Sequence, residues 1–183
     1  MEAENTLSTD AAVKMARACG FEHVSELNVS SLTFEQAVRD MCAAGRCGSY
    51  GKNWCCPPAC GTLEEAAEKA SAYHRGLLLQ STGRMEDDFD IETMMETEKR
   101  QKKRFYELTG QIRAVLPACL PMSSGTCTVC GSCAYPQPCR YPDRKIPSME
   151  AYGLNVTAVC LASGAKYYYG PRTITYTACI LLD

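Results

Sequence analysis

One short segment, residues 125–142, constrains this chain most, because it carries four cysteines among glycines and prolines. Cys127, Cys130 and Cys133 follow the spacing Cys-x-x-Cys-x-x-Cys, and Cys139 follows after five further residues. Two-residue gaps let the backbone curl so that successive thiolates point at one metal centre, and this spacing is the ligand run of a cubane iron–sulfur site. The ferredoxin run has about three residues before its fourth cysteine. The match is therefore close for three ligands and loose for the fourth, Cys139.

Structural zinc is the main alternative cofactor for this segment, because four thiolates suit zinc well. Zinc sites more often consist of two Cys-x-x-Cys pairs that a longer loop separates. The continuous triple therefore favours an iron–sulfur cluster, with zinc as the alternative.

The cysteine content of the whole chain also indicates metal. Thirteen cysteines among 183 residues is a high and odd count, which argues against complete disulfide pairing. The first residues lack the basic segment and apolar run of a secretory signal, and no apolar stretch reaches the roughly 18 residues of a membrane span. We therefore expect a cytoplasmic protein without a membrane partner, and in that compartment dense cysteine indicates metal more often than disulfides. The net charge of −2 offers no basic excess for nucleic acid.

A second group of cysteines lies earlier in the chain. Glycines and prolines between these cysteines predict an ordered loop rather than a helix or strand. The only tryptophan, Trp54, is expected to shield the site from solvent, or to be a core aromatic residue. The five cysteines of this group are Cys42, Cys47, Cys55, Cys56 and Cys60.

Eight cysteines suffice for two 4Fe-4S clusters. Because the fourth cysteine of each ferredoxin run serves the other cluster, Cys139 could cross over to the earlier group. In the simplest assignment, Cys42, Cys47, Cys56 and Cys60 bind one cluster, and Cys127, Cys130, Cys133 and Cys139 bind the other.

The adjacent residues Cys55 and Cys56 are expected to have different roles. Adjacent residues in an extended segment point to opposite sides, so both thiols would rarely reach one metal. Pro57 biases Cys56 toward an extended conformation. We expect Cys56 to be a ligand and Cys55 to face the core or solvent.

Hydrophobic periodicity predicts one α+β domain over residues 1–183, with a small sheet, helices packed on it and two cysteine-rich loops. A capping box at Thr62 and Glu65 marks one helix start. Threonines that alternate with Ile174 and Tyr176 mark a strand. The predicted helices cover residues 10–19, 33–42, a segment after Thr62, 89–116, 148–152 and 156–163; the predicted strands cover 21–29, 75–82 and a hairpin within 166–183.

Charged residues near the cysteines suggest two further roles. The charged stretch 96–104 in the longest helix is either a docking patch for an acidic electron-transfer partner or a solvated helix face. Side chains that flank the cysteines are expected to donate hydrogen bonds to cluster sulfurs and so to tune the reduction potential of the cluster. These flanking residues are Arg46, Tyr50, Lys52 and Arg140.

Two sequence blocks carry a family resemblance. Residues 47–58 contain Cys-x-x-Tyr-Gly-Lys-x-Trp-x-Cys-Pro-Pro, and residues 127–156 run from the cysteine triple to Pro-Ser-Met-Glu-Ala-Tyr-Gly-Leu-Asn-Val. These blocks resemble the family of predicted metal-binding proteins known as domain of unknown function 2284. The resemblance implies metal binding, with iron–sulfur as the expected form, in anaerobes, and implies no particular reaction. It matches Cys47 and Cys56, with Cys42 near a further family cysteine, whereas Cys55 and Cys60 fall outside the pattern.

Three functions follow as hypotheses. The first is an iron–sulfur protein that transfers electrons to a redox partner protein. The second is a zinc- or cluster-stabilised binding or scaffold module. The third is an enzyme whose iron–sulfur cluster has an open iron site, although the Cys-x-x-x-Cys-x-x-Cys spacing of radical enzymes is absent.

Overall fold

A four-stranded antiparallel sheet forms the centre of the fold in a computed structural model that describes residues 7–45 and 47–183. Its strands are β1 (His23–Glu26), β2 (Gly76–Arg84), β3 (Leu120–Met122) and β4 (Thr173–Leu181). The order across the sheet is β1-β2-β4-β3. The two long strands β2 and β4 pair over their whole length, from Gly76 opposite Leu181 to Arg84 opposite Thr173. The α+β class predicted from the sequence is confirmed.

The helices begin and end close to the predicted positions. The capping box of α3 is present, since the Glu65 amide donates to Thr62 Oγ1 (3.1 Å) and the Thr62 amide donates to Glu65 Oε2 (2.8 Å). No helix in the described ranges is long and apolar enough to cross a membrane. The α-helices are α1 (Thr9–Ala18), α2 (Gln36–Ala43), α3 (Leu63–Ser71), α4 (Ile91–Val115) and α5 (Val156–Ala162), and short 3-10 helices cover Val29–Ser31 and Pro142–Arg144.

Helices cover both faces of the sheet, so the leucine run of β2 is buried on both sides. Successive strand residues point to opposite faces. Leu77 and Leu79 pack with Phe105 of α4 and with α1, whereas Leu78 packs with α3 and α5 on the other face. This arrangement explains why the strand is continuously apolar rather than alternating.

The structure corrects the predicted hairpin and one predicted helix. Residues 167–169 form no strand, and β4 pairs instead with β2 and β3. Tyr169 stacks on His23 and donates to Gln80 Oε1 (2.8 Å). A nine-residue partner offers β4 far more backbone hydrogen bonds than three tyrosines could. Residues 148–152 form turns rather than a helix.

Both cysteine loops are anchored to this framework. The first cysteine loop, residues 44–61, follows α2 and ends at α3. The second cysteine loop, residues 123–147, leaves β3 and returns beside it, because the Ser123 amide donates to Pro147 O (2.9 Å) and the Met149 amide donates to Ser123 O (3.0 Å). The chain therefore holds both ends of each loop in regular or hydrogen-bonded structure.

Candidate metal centre

Eight of the cysteines line two cavities. The first site is the cavity that Cys42, Cys47 and Cys56 line. The second site is the cavity that Cys55, Cys127, Cys130, Cys133 and Cys139 line. The structure thus brings together the four predicted cysteines of residues 127–139 and three of the four predicted in the earlier group. Cys55 joins the later cysteines instead of facing the apolar core or solvent as expected.

The first site is a broad cavity of about 570 Å³. Cys42 comes from the last turn of α2, and Cys47 and Cys56 come from the first cysteine loop. The polar residues Ser49, Glu98, Lys102, Thr126 and Glu150 complete its wall. Glu150 Oε2 is buried there without a hydrogen-bond partner. An unpartnered carboxylate oxygen beside thiols is a group that can accept a proton, a donor or a metal.

Cys60 lies behind the wall of the first site. Its thiol donates to Ala151 O (3.5 Å), and its sulfur accepts from Arg39 Nη2 (3.8 Å). It is close enough for its charge to raise the pKa values of Cys42 and Cys56. Cys60 is therefore a near neighbour of the other three thiols but is engaged with Arg39 and Ala151.

Arg39 places a buried positive charge next to the first site. Its guanidinium is 8% exposed and donates to Ala151 O (2.8 Å) and to Gly61 O (2.7 Å). Within the described ranges it forms no ion pair with a carboxylate. A buried cation needs a counter-charge, and the thiolate form of Cys60 would supply one. Burial raises the pKa of the Cys60 thiol, and the charge of Arg39 opposes that rise, as it does more weakly at Cys42.

Burial favours the protonated form of two first-site thiols, Cys42 and Cys56. Desolvation is the largest cause that raises the pKa of Cys42, followed by the charges of Cys47 and Glu150. Desolvation likewise raises the pKa of Cys56 to about 11, although a hydrogen bond with Thr126 opposes it. Because a metal ligand must be a thiolate, binding here would release protons and would be favoured by rising pH.

The second site is narrow, with a cavity of about 20 Å³, which is the space of one water molecule. Besides its five cysteines, its wall contains Trp54 and two cations, Arg140 and Lys145. None of the carboxylates within residues 7–45 and 47–183 lines it. Trp54 thus covers the second site rather than the first, with its ring against Tyr135 (5.1 Å between centroids) and under the Lys145 ammonium (5.8 Å).

Cys127 is the thiol most biased toward the thiolate. A hydrogen bond from the Cys55 thiol is the largest cause that lowers its pKa, and backbone donors at Val129 and Ile146 add to the effect. The Tyr106 hydroxyl of α4 lies 3.9 Å from the same sulfur. The same hydrogen bond raises the pKa of Cys55, which therefore stays protonated beside it.

The two cysteine loops interlock at two pairs of adjacent residues. Cys55 faces Cys127, while its neighbour Cys56 lies 3.9 Å from Thr126 Oγ1. Thr126 Oγ1 also donates to Ser49 Oγ (2.9 Å), and Asn53 Nδ2 donates to Cys127 O (3.4 Å). Each loop therefore supplies side chains to the wall of the other loop's site.

Helix α4 reaches both sites, which the sequence pattern did not indicate. Lys102 Nζ donates to Thr126 O (2.8 Å) and pairs with Glu98 Oε1 (2.5 Å). Arg104 pairs with Glu22 (2.8 Å) and donates to Ser81 Oγ (3.1 Å). The charged stretch 96–104 is therefore partly internal, neither a uniform docking patch nor a uniformly solvated face.

The residues predicted to hydrogen-bond to sulfur have mixed placements. Tyr50 lines the first site and Arg140 lines the second, where it donates to Ser132 O (2.9 Å). Lys52 is exposed, and Arg46 lies outside the described residues. The polar groups that do reach sulfur, on Arg39, Tyr106 and Thr126, were missed. Arg39 is the one that sequence could have indicated, because it is a lone cation on the otherwise apolar buried face of α2.

Three further cysteines belong to the apolar cores. Cys119 packs with α1 and α4, whereas Cys160 and Cys179 pack on the opposite face of the sheet. Across residues 7–45 and 47–183, no three side chains of His, Cys, Asp or Glu converge tightly enough to form a single-ion site.

Comparison with known families identifies the group to which the chain belongs. The sequence profile of a family of predicted metal-binding proteins, domain of unknown function 2284, matches residues 25–182. The chain is a member of this family. The match includes both cysteine loops, so the family's predicted property and the two sites coincide in the chain. Searches among curated proteins and among solved structures gave no match.

The donor sets fit the metal binding that this family implies. Thiolates suit zinc and iron–sulfur clusters, and a metal with four thiolates is a net anion. The cations Arg39, Arg140 and Lys145 lie where such an anion would need them. At the second site, the match to a metal centre rests on the chemistry of the donors and on the nearby charges, not on the volume of the cavity.

Proposed function

We propose that this protein is an iron–sulfur protein with two thiolate-bound clusters, and that it passes electrons to a partner protein. The observation that carries the proposal is the pairing of two thiol-lined cavities across the single peptide unit of Cys55 and Cys56. Two adjacent redox centres near the surface suit electron relay. The Cys-x-x-Cys-x-x-Cys spacing of the second site supports iron–sulfur over zinc.

The surrounding residues would set the reduction potential of the cluster at each site. Hydrogen bonds to cysteine sulfur and nearby cations stabilise the more reduced, more negative form of a cluster and raise its potential. The first site has the Arg39 guanidinium against Cys60. The second site has the Tyr106 hydroxyl and backbone amides against Cys127.

A groove beside α4 is a suitable docking surface for the redox partner. Its exposed apolar residues are Ile91 (64% exposed) and Met95 (66% exposed). Val129 lines both this groove and the second site, so a docked protein would come within one residue of that site. The exposed charges are mixed, since Glu92 and Glu96 oppose Lys99, Lys103 and Arg144. Apolar contacts, rather than long-range electrostatic attraction, would therefore stabilise the complex with the partner.

The direct test is anaerobic purification followed by iron, sulfide and zinc analysis. We expect about eight iron and eight sulfide per chain for two cubane clusters, with broad absorbance near about 400 nm. Stoichiometric zinc without sulfide, even after cluster reconstitution, would instead support the metal-stabilised scaffold.

The surroundings of the first site favour a second candidate function, an enzyme with an open iron site. Three thiols and the unpartnered Glu150 carboxylate line a cavity of about 570 Å³, while Cys60 is engaged by Arg39 and Ala151. A site with three thiolates leaves one iron free for a small substrate.

Cys60→Ala separates these two candidates. If the first site uses three thiolates, the variant keeps its iron, and a small ligand such as cyanide changes the electron paramagnetic resonance (EPR) spectrum of the reduced protein. If Cys60 completes a closed set of four, the variant loses the first cluster and the enzyme candidate fails.

A further inference from the structure

The buried cysteines differ in what surrounds them. Cys119, Cys160 and Cys179 belong to the two apolar clusters that cover the sheet. Cys55 is only 2% exposed but belongs to neither cluster. A structural cysteine normally behaves as a small buried hydrophobe. Cys55 instead faces four other thiols in the second site.

Hydrogen bonds of Cys55 and of the two residues before it hold it in that position. Its amide donates to Asn53 Oδ1 (2.9 Å), and Asn53 Nδ2 reaches across to Cys127 O (3.4 Å). On the adjacent residue, Trp54 Nε1 donates to Gln137 O (2.8 Å). The first cysteine loop is thereby tied to the second at two carbonyls, those of Cys127 and Gln137. The position of the Cys55 thiol is thus built into the interface between the loops.

Cys139 differs from Cys55 in its burial and in its position in the sequence. It is partly exposed, and Pro136 and Pro138 separate it from the Cys127–Cys133 triple. The triple needs one more thiolate, because a cubane cluster takes four. Cys55 lines the same cavity as the triple and is 2% exposed.

We propose that Cys55, rather than Cys139, is the fourth thiolate ligand of the second site. The inference rests on the proposed function in one respect, that this site binds a metal centre. Its consequence is that ligands of the two sites occupy adjacent positions, Cys55 for the second and Cys56 for the first. The peptide unit between them then links the two centres covalently.

The test compares Cys55→Ala, Cys139→Ala and the core control Cys160→Ala in anaerobically purified protein. The readouts are total metal per chain and the EPR spectrum of the reduced protein. We expect Cys55→Ala to lose about half of the metal, as for one cluster of two, and to keep the first-site signal. Cys139→Ala and Cys160→Ala should keep the full metal count.

Full metal in Cys55→Ala, or loss of the second cluster in Cys139→Ala, would overturn the proposal. Cys55→Ser, whose hydroxyl fits the same space, guards against a folding defect. It should retain metal with an altered spectrum and a shifted reduction potential, and an unchanged spectrum would also overturn the proposal. If the wild type holds zinc instead of iron and sulfide, the proposed function fails, yet the metal counts of the variants still decide between Cys55 and Cys139.

Discussion

The two cysteine sites differ in how open they are and in how their charge is balanced. The first combines three thiols, the two carboxylates of Glu98 and Glu150 and a cavity of about 570 Å³. The second encloses about 20 Å³ among five thiols. A site that admits a small molecule can do chemistry on it, whereas a closed one can only exchange electrons or support the fold. The comparison teaches that thiol number alone does not assign a role.

The cations follow the same division. Arg39 is buried behind the first site with fixed carbonyl partners, whereas Arg140 and Lys145 stand exposed on the rim of the second. Buried charges are screened little by salt, and exposed ones are screened strongly. The potential of the first site should therefore be nearly independent of ionic strength, and that of the second should fall as salt rises.

The largest effect is expected from removal of a central ligand of the second site. Cys130→Ala should lose the whole second cluster, about half of the bound metal, because Cys130 is the middle ligand of the Cys-x-x-Cys-x-x-Cys run. The thermal midpoint should fall as well, since metal binding there joins both loops. Metal analysis and thermal unfolding measure both. Cys179→Ala, in the apolar core, is the control and should keep all metal; equal metal loss in the two variants would contradict the assignment.

Loss of the buried cation should affect the first site alone. Arg39→Met removes the donors to Ala151 O and Gly61 O and the charge beside Cys60. We expect a loss of about 1–3 kcal/mol in the free energy of unfolding and release of the first-site metal with the second retained. Arg39→Lys, which keeps the charge, should release less metal. Equal loss from both sites would show that the two sites are not separable.

A smaller effect, shared by both sites, is expected at α4. Lys102 is 7% exposed and holds Thr126, which contacts Cys56 and precedes Cys127. Lys102→Met should lower the free energy of unfolding by about 1–3 kcal/mol and weaken metal retention at both sites in chelator competition. Lys103→Met, on the exposed side of the same helix, is the matched control. Weaker metal retention at one site only would show that Lys102 does not support both sites.

The smallest effect concerns the thiol pKa at the first site. After burial and the charge of Cys47, the Glu150 carboxylate raises the pKa of Cys42. Glu150→Gln removes that charge, so the pKa falls and the thiolate fraction at a given pH rises. In reduced, metal-free protein at about pH 8, alkylation of Cys42 should accelerate about twofold. Cys130 in the same sample provides the reference rate; slower or unchanged Cys42 alkylation would place the carboxylate too far away to matter.

Local patterns predicted the regular elements well. The capping box at Thr62 and the apolar stripe of α4 depend on residues three or four apart, which meet within any helix. The partner of β4 could not be predicted in this way. Tyr167 to Tyr169 lie next to it in sequence, but β2, almost 90 residues away, supplies nine paired positions. β3 was missed because three residues give too short a pattern to recognise.

The sequence by itself determined which residues are candidate metal ligands, because the spacing of Cys127, Cys130 and Cys133 and the density of thiols are local properties. It also implied that Cys55 and Cys56 point to opposite sides. Only the tertiary structure decided that Cys55, which points away from the first site, lies in the second site. That placement depends on how two loops about 70 residues apart in the sequence interlock through Asn53 and Thr126. Arg39 and Lys102 acquired their roles for the same reason: a cation is assigned to a site by the backbone carbonyls and thiols that the fold brings around it.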